Sequence, residues 1–342
     1  MHADSPQKVA CSVCIANYNG AGVLEACLDS VLRQNFSHPV EVIVHDDAST
    51  DGSAAIVKEK YPGVRLLQSQ TNVGFCVSNN RMVAAAMGEF ILLLNNDAEL
   101  RRDALSVLYQ QALGKNGGGI FGLPQYSKET GELIDRGSLF DPFLNPIPNQ
   151  TASRRHVGMV IGACLWLPKC LWDELGGFPE WFGSLAEDMY LCCLARLKAY
   201  PVIVLSESGF DHWVGKNLGG GKVVRRRLKT TYRRRALSER NKSYVMIMCY
   251  PSPLSWVLIP LHLLSLATEG LILSAVKKER RIWREIYRPC FSALWHRRKK
   301  LIQFRHEIQD DRRASLLSFY SVHTFLPNKI AMLAKHGLPE VV

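Results

Sequence analysis

The apolar positions change period along this chain. Residues 9–15 alternate and then break into Asn17-Tyr18-Asn19-Gly20, a strand followed by a polar turn. Over 21–35 the apolar residues fall at Leu24, Cys27, Leu28, Val31 and Leu32, the spacing of one helical face. Residues 40–44 make a second strand ending in His45-Asp46-Asp47. Residues 53–60 read as a helix with Ser49, Asp51 or Ser53 as N-cap, 64–68 as a third strand, and 78–87 as a helix of small residues. Next comes FILLLNNDAEL, residues 90–100. A short apolar run cut off by Asn96 and Asp97 suits a strand buried on both faces of a parallel sheet. A further helix is predicted near 104–113.

Strands alternating with helices over the first hundred residues predict an α/β fold, a mostly parallel sheet flanked by helices. In such sheets ligands sit beyond the carboxyl ends of the strands. Asn17–Gly20, Asp46-Asp47, Asn72–Phe75 and Asn96-Asp97 should therefore converge on one rim. Farther on, 141–150 and the glycines at 117–119 read as loops, 156–167 as an apolar segment holding Gly162-Ala163-Cys164, and 176–178 as a turn. Residues 186–196 look helical with Glu187-Asp188 at the N-terminal end. A short strand at 202–205 leads to Asp211-His212-Trp213, and a glycine run at 219–221 opens the last part. Residues 1–225 read as a catalytic domain and 226–342 as a helical C-terminal region.

Charge separates the same two parts. Residues 1–220 carry 17 Lys and Arg against 23 Asp and Glu, whereas 221–342 carry 25 against 8. Such asymmetry points to an anionic partner for the C-terminal part. Residues 243–268 contain no Lys, Arg, Asp or Glu, long enough by count to cross a bilayer. Pro251, Pro253 and Pro260 interrupt this run, and the residues after Pro260 are too few to span alone. Lysines and arginines at 277–288, 297–300 and 312–313 are interleaved with Trp283, Tyr287 and Trp295. Apolar helices with aromatics and flanking cations suit a protein lying in the interface of an anionic membrane. No nucleic-acid-binding motif accompanies the charge. The N-terminus lacks an apolar signal core, and ten scattered cysteines suit reduced thiols in a cytoplasm. Cys11 and Cys14 form a CxxC inside a predicted strand, where the side chains point to opposite faces and cannot share a metal.

Six stretches now have a common explanation. CIANYNG, VIVHDDASTDGS, QTNVGFCVSNN, GEFILLLNNDAEL, LGGFPEWFGSLAEDMYL and SERN occur in the order and spacing of the family 2 glycosyltransferases. The resemblance covers roughly residues 9–242 and is strongest to rhamnosyltransferase-type members with an LNND turn. It implies an inverting enzyme of the A-type nucleotide-sugar fold. By that resemblance Asp46 accepts the ring N–H of a pyrimidine nucleotide, Asn17 and Asn19 lie against the nucleotide, Asn72 and Gly74 line base and ribose, and Asn96 belongs to the same rim. Asp51 and Gly52 shape the turn. Asn95–Asp97 stands where the family has its Asp-x-Asp motif, so only Asp97 offers a carboxylate to Mg²⁺ or Mn²⁺, with His212 completing the site. A single carboxylate plus phosphate oxygens is an adequate set for Mg²⁺.

Glu187-Asp188 matches the family's acidic pair, whose Asp is the catalytic base. The family often has a further Asp where this chain has Tyr190. Gly162-Ala163 would leave room beneath the donor sugar or acceptor, and Arg240-Asn241 matches a motif after the core that is structural or on the acceptor side. The implied partners are a UDP- or dTDP-sugar donor, a polyprenyl-linked saccharide acceptor and an anionic membrane surface, at the cytoplasmic face of the inner membrane. A sugar-nucleotide pyrophosphorylase needs a glycine-rich, lysine-bearing loop after the first strand, which CIANYNG lacks. A catalytically silent nucleotide-sugar-binding protein on the same fold remains the alternative.

Overall fold

The structure is a computed structural model that describes residues 8–114, 118–213, 220–224 and 227–341. The N-terminal residues 1–7, Gly117 and Gly219 lie outside the described residues. Two compact units emerge. The first comprises residues 1–137, 149–184 and 200–213; the second comprises 138–148, 185–199 and 214–342. The second unit thus draws in two segments from inside the range read as catalytic domain, one of which begins with the acidic pair.

A seven-stranded sheet organises the first unit. Its spatial order is Val202–Val204, Ile120–Gly122, Cys164–Pro168, Phe90–Asn95, Cys11–Asn17, Val40–Asp46 and Arg65–Gln68. All neighbours are parallel except Cys164–Pro168, which runs antiparallel to both strands beside it. The central strand is Phe90–Asn95, and Phe90 to Leu94 are all buried. Burial on both faces is why this strand reads as an unbroken apolar run. Helices Leu24–Leu32, Ser53–Lys60, Phe75–Ala85 and Ala104–Leu113 connect the strands. Register sets the rim: Asn17 lies opposite Asp46, and Ala16 opposite Asn95.

Several boundaries differ from the sequence reading. The third helix begins at Phe75, three residues before the expected start, because Gly74 at φ 91° turns the chain and its carbonyl accepts from Ser78 N. The N-cap position of Ser53–Lys60 is Gly52 at φ 84°, not Ser49, Asp51 or Ser53. Asp51 instead takes Ser53 N and Oγ on Oδ1, at 3.1 and 2.6 Å. The stretch 141–150 is not wholly loop, since Pro146–Pro148 pairs with Ser138–Phe140. Cys11 and Cys14 are free and buried.

A smaller four-stranded sheet of the first unit has the order Ala98–Leu100, Phe210–His212, Gln125–Ser127, Leu133–Asp135. It joins segments more than a hundred positions apart in sequence, and it starts where the central strand of the large sheet ends.

The second unit is mainly helical. Tyr232–Cys249 packs against Arg288–Asp310 and against Glu187–Leu197. A partly buried ion network ties its helices: Glu239 contacts Lys242 at 2.7 Å and Lys329 at 2.6 Å, and Glu269 contacts Lys329 at 2.6 Å and Arg235 at 2.5 Å. The uncharged run 243–268 is two helices, broken at 250–254. The second, Ser255–Val276, continues through Pro260 for 22 residues, so the expectation that proline cuts it short is corrected. Proline near a helix start forfeits few internal bonds.

That helix is turned inside out. Its buried side is Ser255, His262, Leu266, Gly270 and Leu273, whereas Trp256, Leu261, Leu264, Leu271 and Ile272 are exposed. Its uncovered apolar length is sufficient to cross a membrane by composition. Gly270 makes the seating possible: a Cβ there would lie 2.6 Å from Cγ of Tyr287 and 2.9 Å from Cε3 of Trp283. Beside it, Ala267, Trp283, Arg288, Phe291 and Trp295 line an open groove of about 510 Å³. Of the three aromatics singled out among the cations, Trp295 is exposed but Tyr287 is fully buried, a core residue rather than an interfacial one.

Candidate active site

The strand ends of the first unit interlock through side chains. Asn17 is 1% exposed. Its Nδ2 donates to Asp46 Oδ1 and to Ser53 Oγ, both at 2.9 Å, and its Oδ1 accepts from Asn96 Nδ2 at 2.8 Å. One amide thus bridges three consecutive strand ends. Gly20 is a condition of that bridge, since a Cβ there would lie 2.2 Å from Asn17 Oδ1 and 2.3 Å from Asn96 Nδ2. Asp46 Oδ2 accepts from Ser49 N at 3.1 Å, and each carboxylate oxygen keeps a lone pair for a further donor. Asn19, exposed at φ 49°, accepts Thr50 N at 2.9 Å. Asp51 accepts Ala21 N at 2.8 Å, tying the two turns together.

Asp47 is a residue that the sequence reading passed over. Its two carboxylate oxygens accept Val73 N at 2.7 Å and Gly74 N at 2.9 Å. It therefore fixes the loop carrying Asn72 and Gly74, while the exposed Asn72 side chain reaches only the Asp47 carbonyl, at 3.5 Å. The second Asp of HDD was the available signal, but nothing local says which of two adjacent acids turns toward the loop.

Asp97 and His212 come together across the small sheet. His212 pairs with Ala98, and Trp213 N donates to the Asp97 carbonyl at 3.1 Å. Their side chains meet with His212 Nε2 3.1 Å from Asp97 Oδ1, both buried. Behind the ring, Gln125 Nε2 lies 2.8 Å from His212 Nδ1. Gln125 is 2% exposed and its Oε1 has no hydrogen-bond partner among the described residues. A carboxylate and an imidazole at this separation, the imidazole oriented by an amide behind it, form a donor pair suited to a divalent ion. Among the described residues no cluster of three His, Cys, Asp or Glu side chains could hold a metal. Phosphate oxygens of a ligand would have to complete the coordination sphere.

The acidic pair belongs to the second unit. Glu187 and Asp188 open the helix Glu187–Leu197 and are both buried, with Asp188 Oδ1 accepting Met189 N at 2.7 Å. Negative charge is favoured at a helix start. Even so, Glu187 Oε2 has no hydrogen-bond partner among the described residues. Desolvation first, and the neighbouring Asp188 charge second, push the Glu187 carboxyl up to about 8, against the pull of the Arg234 guanidinium. Burial and the adjacent acid thereby favour the protonated form of Glu187. Arg234, like Gln125, is a residue that sequence reasoning missed. It sits in a run of three arginines at 233–235, and nothing in the run distinguishes it.

Comparison with known proteins gives the class first. The fold is that of the A-type nucleotide-sugar glycosyltransferases. It is similar to S. aureus TarS 1-349 in complex with UDP-GlcNAc, with a TM-score of 0.56 and 17% identity over 88% of this chain and 91% of that one. It is also similar to the mannosyltransferase PcManGT of Pyrobaculum calidifontis in complex with GDP-Man and Mn²⁺, with a TM-score of 0.51 and 17% identity over 90% of each chain. Residues 12–169, a little under half of the chain, match the model of the family described as Glycosyl transferase family 2. Among curated relatives, the N-acetylglucosaminyl-diphospho-decaprenol L-rhamnosyltransferase of Mycobacterium tuberculosis is 26% identical over 183 residues, 45% of this chain and 60% of that one. Other relatives are matched over 30% to 38% of their length.

Proposed function

We propose that the protein is an inverting glycosyltransferase that moves a sugar, rhamnose or a similar hexose, from a UDP- or dTDP-sugar to a polyprenyl-linked saccharide during polysaccharide synthesis. The observation that carries this reading is the buried Asp97–His212 pair beyond the strand end that Asn17 and Asn96 join to Asp46. Asp46 accepts the imide N–H of uracil or thymine, with Asn17, Asn19, Asn72, Gly74 and Asn96 forming the remaining rim. Asp97 and His212 would hold Mg²⁺ or Mn²⁺, which when bound neutralises charge on the departing diphosphate.

Asp188 takes the proton from the acceptor hydroxyl as its oxygen bonds to the anomeric carbon. The bond from that carbon to the nucleoside diphosphate breaks on the opposite face, which inverts the centre. Glu187 stays protonated at neutral pH and spares Asp188 a second adjacent charge. A decaprenol-linked acceptor is written into the name of the mycobacterial relative, which supports the lipid-linked acceptor.

The exposed apolar face of Ser255–Val276 and the cations after it support binding to the anionic cytoplasmic surface of the inner membrane, peripherally or monotopically. Each such cation adds about 1 kcal/mol near an anionic leaflet. Calorimetry of UDP and dTDP with and without Mn²⁺, followed by donor turnover in the wild type, Asp97→Ala and Asp188→Asn, tests the reading. Metal-dependent pyrimidine diphosphate binding, with turnover lost in both variants, is expected. Binding without turnover even with acceptor present would favour a silent nucleotide-sugar-binding protein, and no binding at all would remove the enzyme reading.

A further inference from the structure

Leu185 and Ala186, the two residues before the acidic pair, have φ values of 72° and 64°. Left-handed backbone is unfavourable for a residue with a Cβ. Two such residues in succession persist only where their surroundings over-determine them. Ala186 is the N-cap residue, its carbonyl accepting Tyr190 N at 2.9 Å as the first bond of the helix. The Leu185 carbonyl is held from outside the segment: Asn241 Nδ2 donates to it at 2.8 Å.

Asn241 is well placed for this task. It lies in the long helix Tyr232–Cys249 and is fully buried, so its rotamer is fixed by packing. Its Oδ1 accepts Arg240 Nε at 2.9 Å, which orients the amide with Nδ2 toward Leu185. The same helix supplies Arg234, the cation that acts on Glu187. One helix therefore grips the turn that launches the acidic pair and also tunes one member of it.

We infer that Asn241 is a positioning residue for Glu187 and Asp188, holding the strained Leu185–Ala186 turn that aims the base. The inference rests on the reading of Asp188 as base. It assigns the Arg240-Asn241 motif a role in geometry rather than in acceptor contact. Loss of the amide donor lets the turn relax toward negative φ, which swings the first residues of the helix. A displacement on the order of 1 Å at a catalytic group costs about a hundredfold in rate.

The test uses the full chain with Asn241→Ala and Asn241→Leu, the second keeping roughly the side-chain volume while the donor is lost. Expected is a fall in kcat of about 10- to 100-fold, little change in donor KM, and a displaced limb in the pH profile of kcat/KM. Adding Ala186→Gly removes the Cβ penalty of the turn and should recover part of kcat in the Asn241→Ala background. A lowered Tm with kcat and pH profile intact would reduce Asn241 to a structural residue and overturn the inference. Asp188→Asn separates the two failures. If that variant transfers sugar normally, the base reading falls; if it is dead while Asn241→Leu matches the wild type, only the positioning role falls.

Discussion

His212 Nε2 lies 3.1 Å from Asp97 Oδ1 across 115 positions of sequence. Three short strands create that contact, and a buried glutamine stands behind the ring. The arrangement assigns distinct roles to neighbouring residues, and those roles can be measured apart.

Gln125→Leu removes the amide partner of His212 Nδ1 while preserving bulk. Residues that orient a metal-bound histidine are worth about 10–100-fold in metal affinity. Mn²⁺ titration in the presence of UDP, read by electron paramagnetic resonance, should show a loss of that size. An unchanged affinity would mean that packing alone orients the ring.

Gly20→Ala forces a Cβ into the Asn17–Asn96 hydrogen bond. Separating a buried amide pair costs roughly 1–3 kcal/mol, so the variant should unfold at lower denaturant and bind nucleotide more weakly. Reduced nucleotide affinity with unaltered stability would place Gly20 against the ligand instead.

Glu187 provides a pH test whose sign is fixed. Its carboxyl ionises near 4.5 in the unfolded chain and is raised to about 8 by burial and Asp188. The folded state therefore holds a proton that the unfolded state has lost, and stability falls as pH rises between those values, by at most about 1.4 kcal/mol per unit. Glu187→Gln should flatten that slope in urea unfolding curves collected from pH 5 to 8. A slope identical to the wild type would show that Glu187 titrates normally.

Gly270→Val drives a branched side chain into Tyr287 and Trp283. Overpacking of this kind costs about 1–3 kcal/mol and should lift Ser255–Val276 off its seat. Trp256→Glu, in contrast, changes only the exposed face. It should leave Tm unchanged while weakening co-sedimentation with phosphatidylglycerol vesicles. Retained vesicle binding in Trp256→Glu and Leu264→Glu together would argue that this face does not meet lipid.

Much of this is legible in the chain. Asp97 can be set at the end of a buried strand because the run from Phe90 to Leu94 is apolar on both faces, and residues i and i+2 of a strand announce their burial locally. Glu187 and Asp188 can be set at a helix start by the 3.6-residue period after them. His212 stands out only through the family pattern, since a lone histidine after a three-residue strand has no periodic signal. Gln125 carries no signal of its own, and the doubled acid at Asp47 and the motif at Asn241 do not say what either side chain holds. The role of each depends on a partner 87, 26 or 56 positions away.

The sequence by itself determined the alternation of strands and helices, the polar ends of the strands, and the charge division between the two parts of the chain. These properties come from local periodicity and composition, which each segment carries wherever it packs. Only the tertiary structure decided which of two adjacent acids grips a loop, that Tyr287 is core while Trp295 is exposed, and that a proline-bearing helix turns its large apolar residues outward. It also decided that Leu185 and Ala186 are held in a left-handed turn. Each of these depends on which surfaces meet, and that is a property of the packed chain rather than of any segment within it.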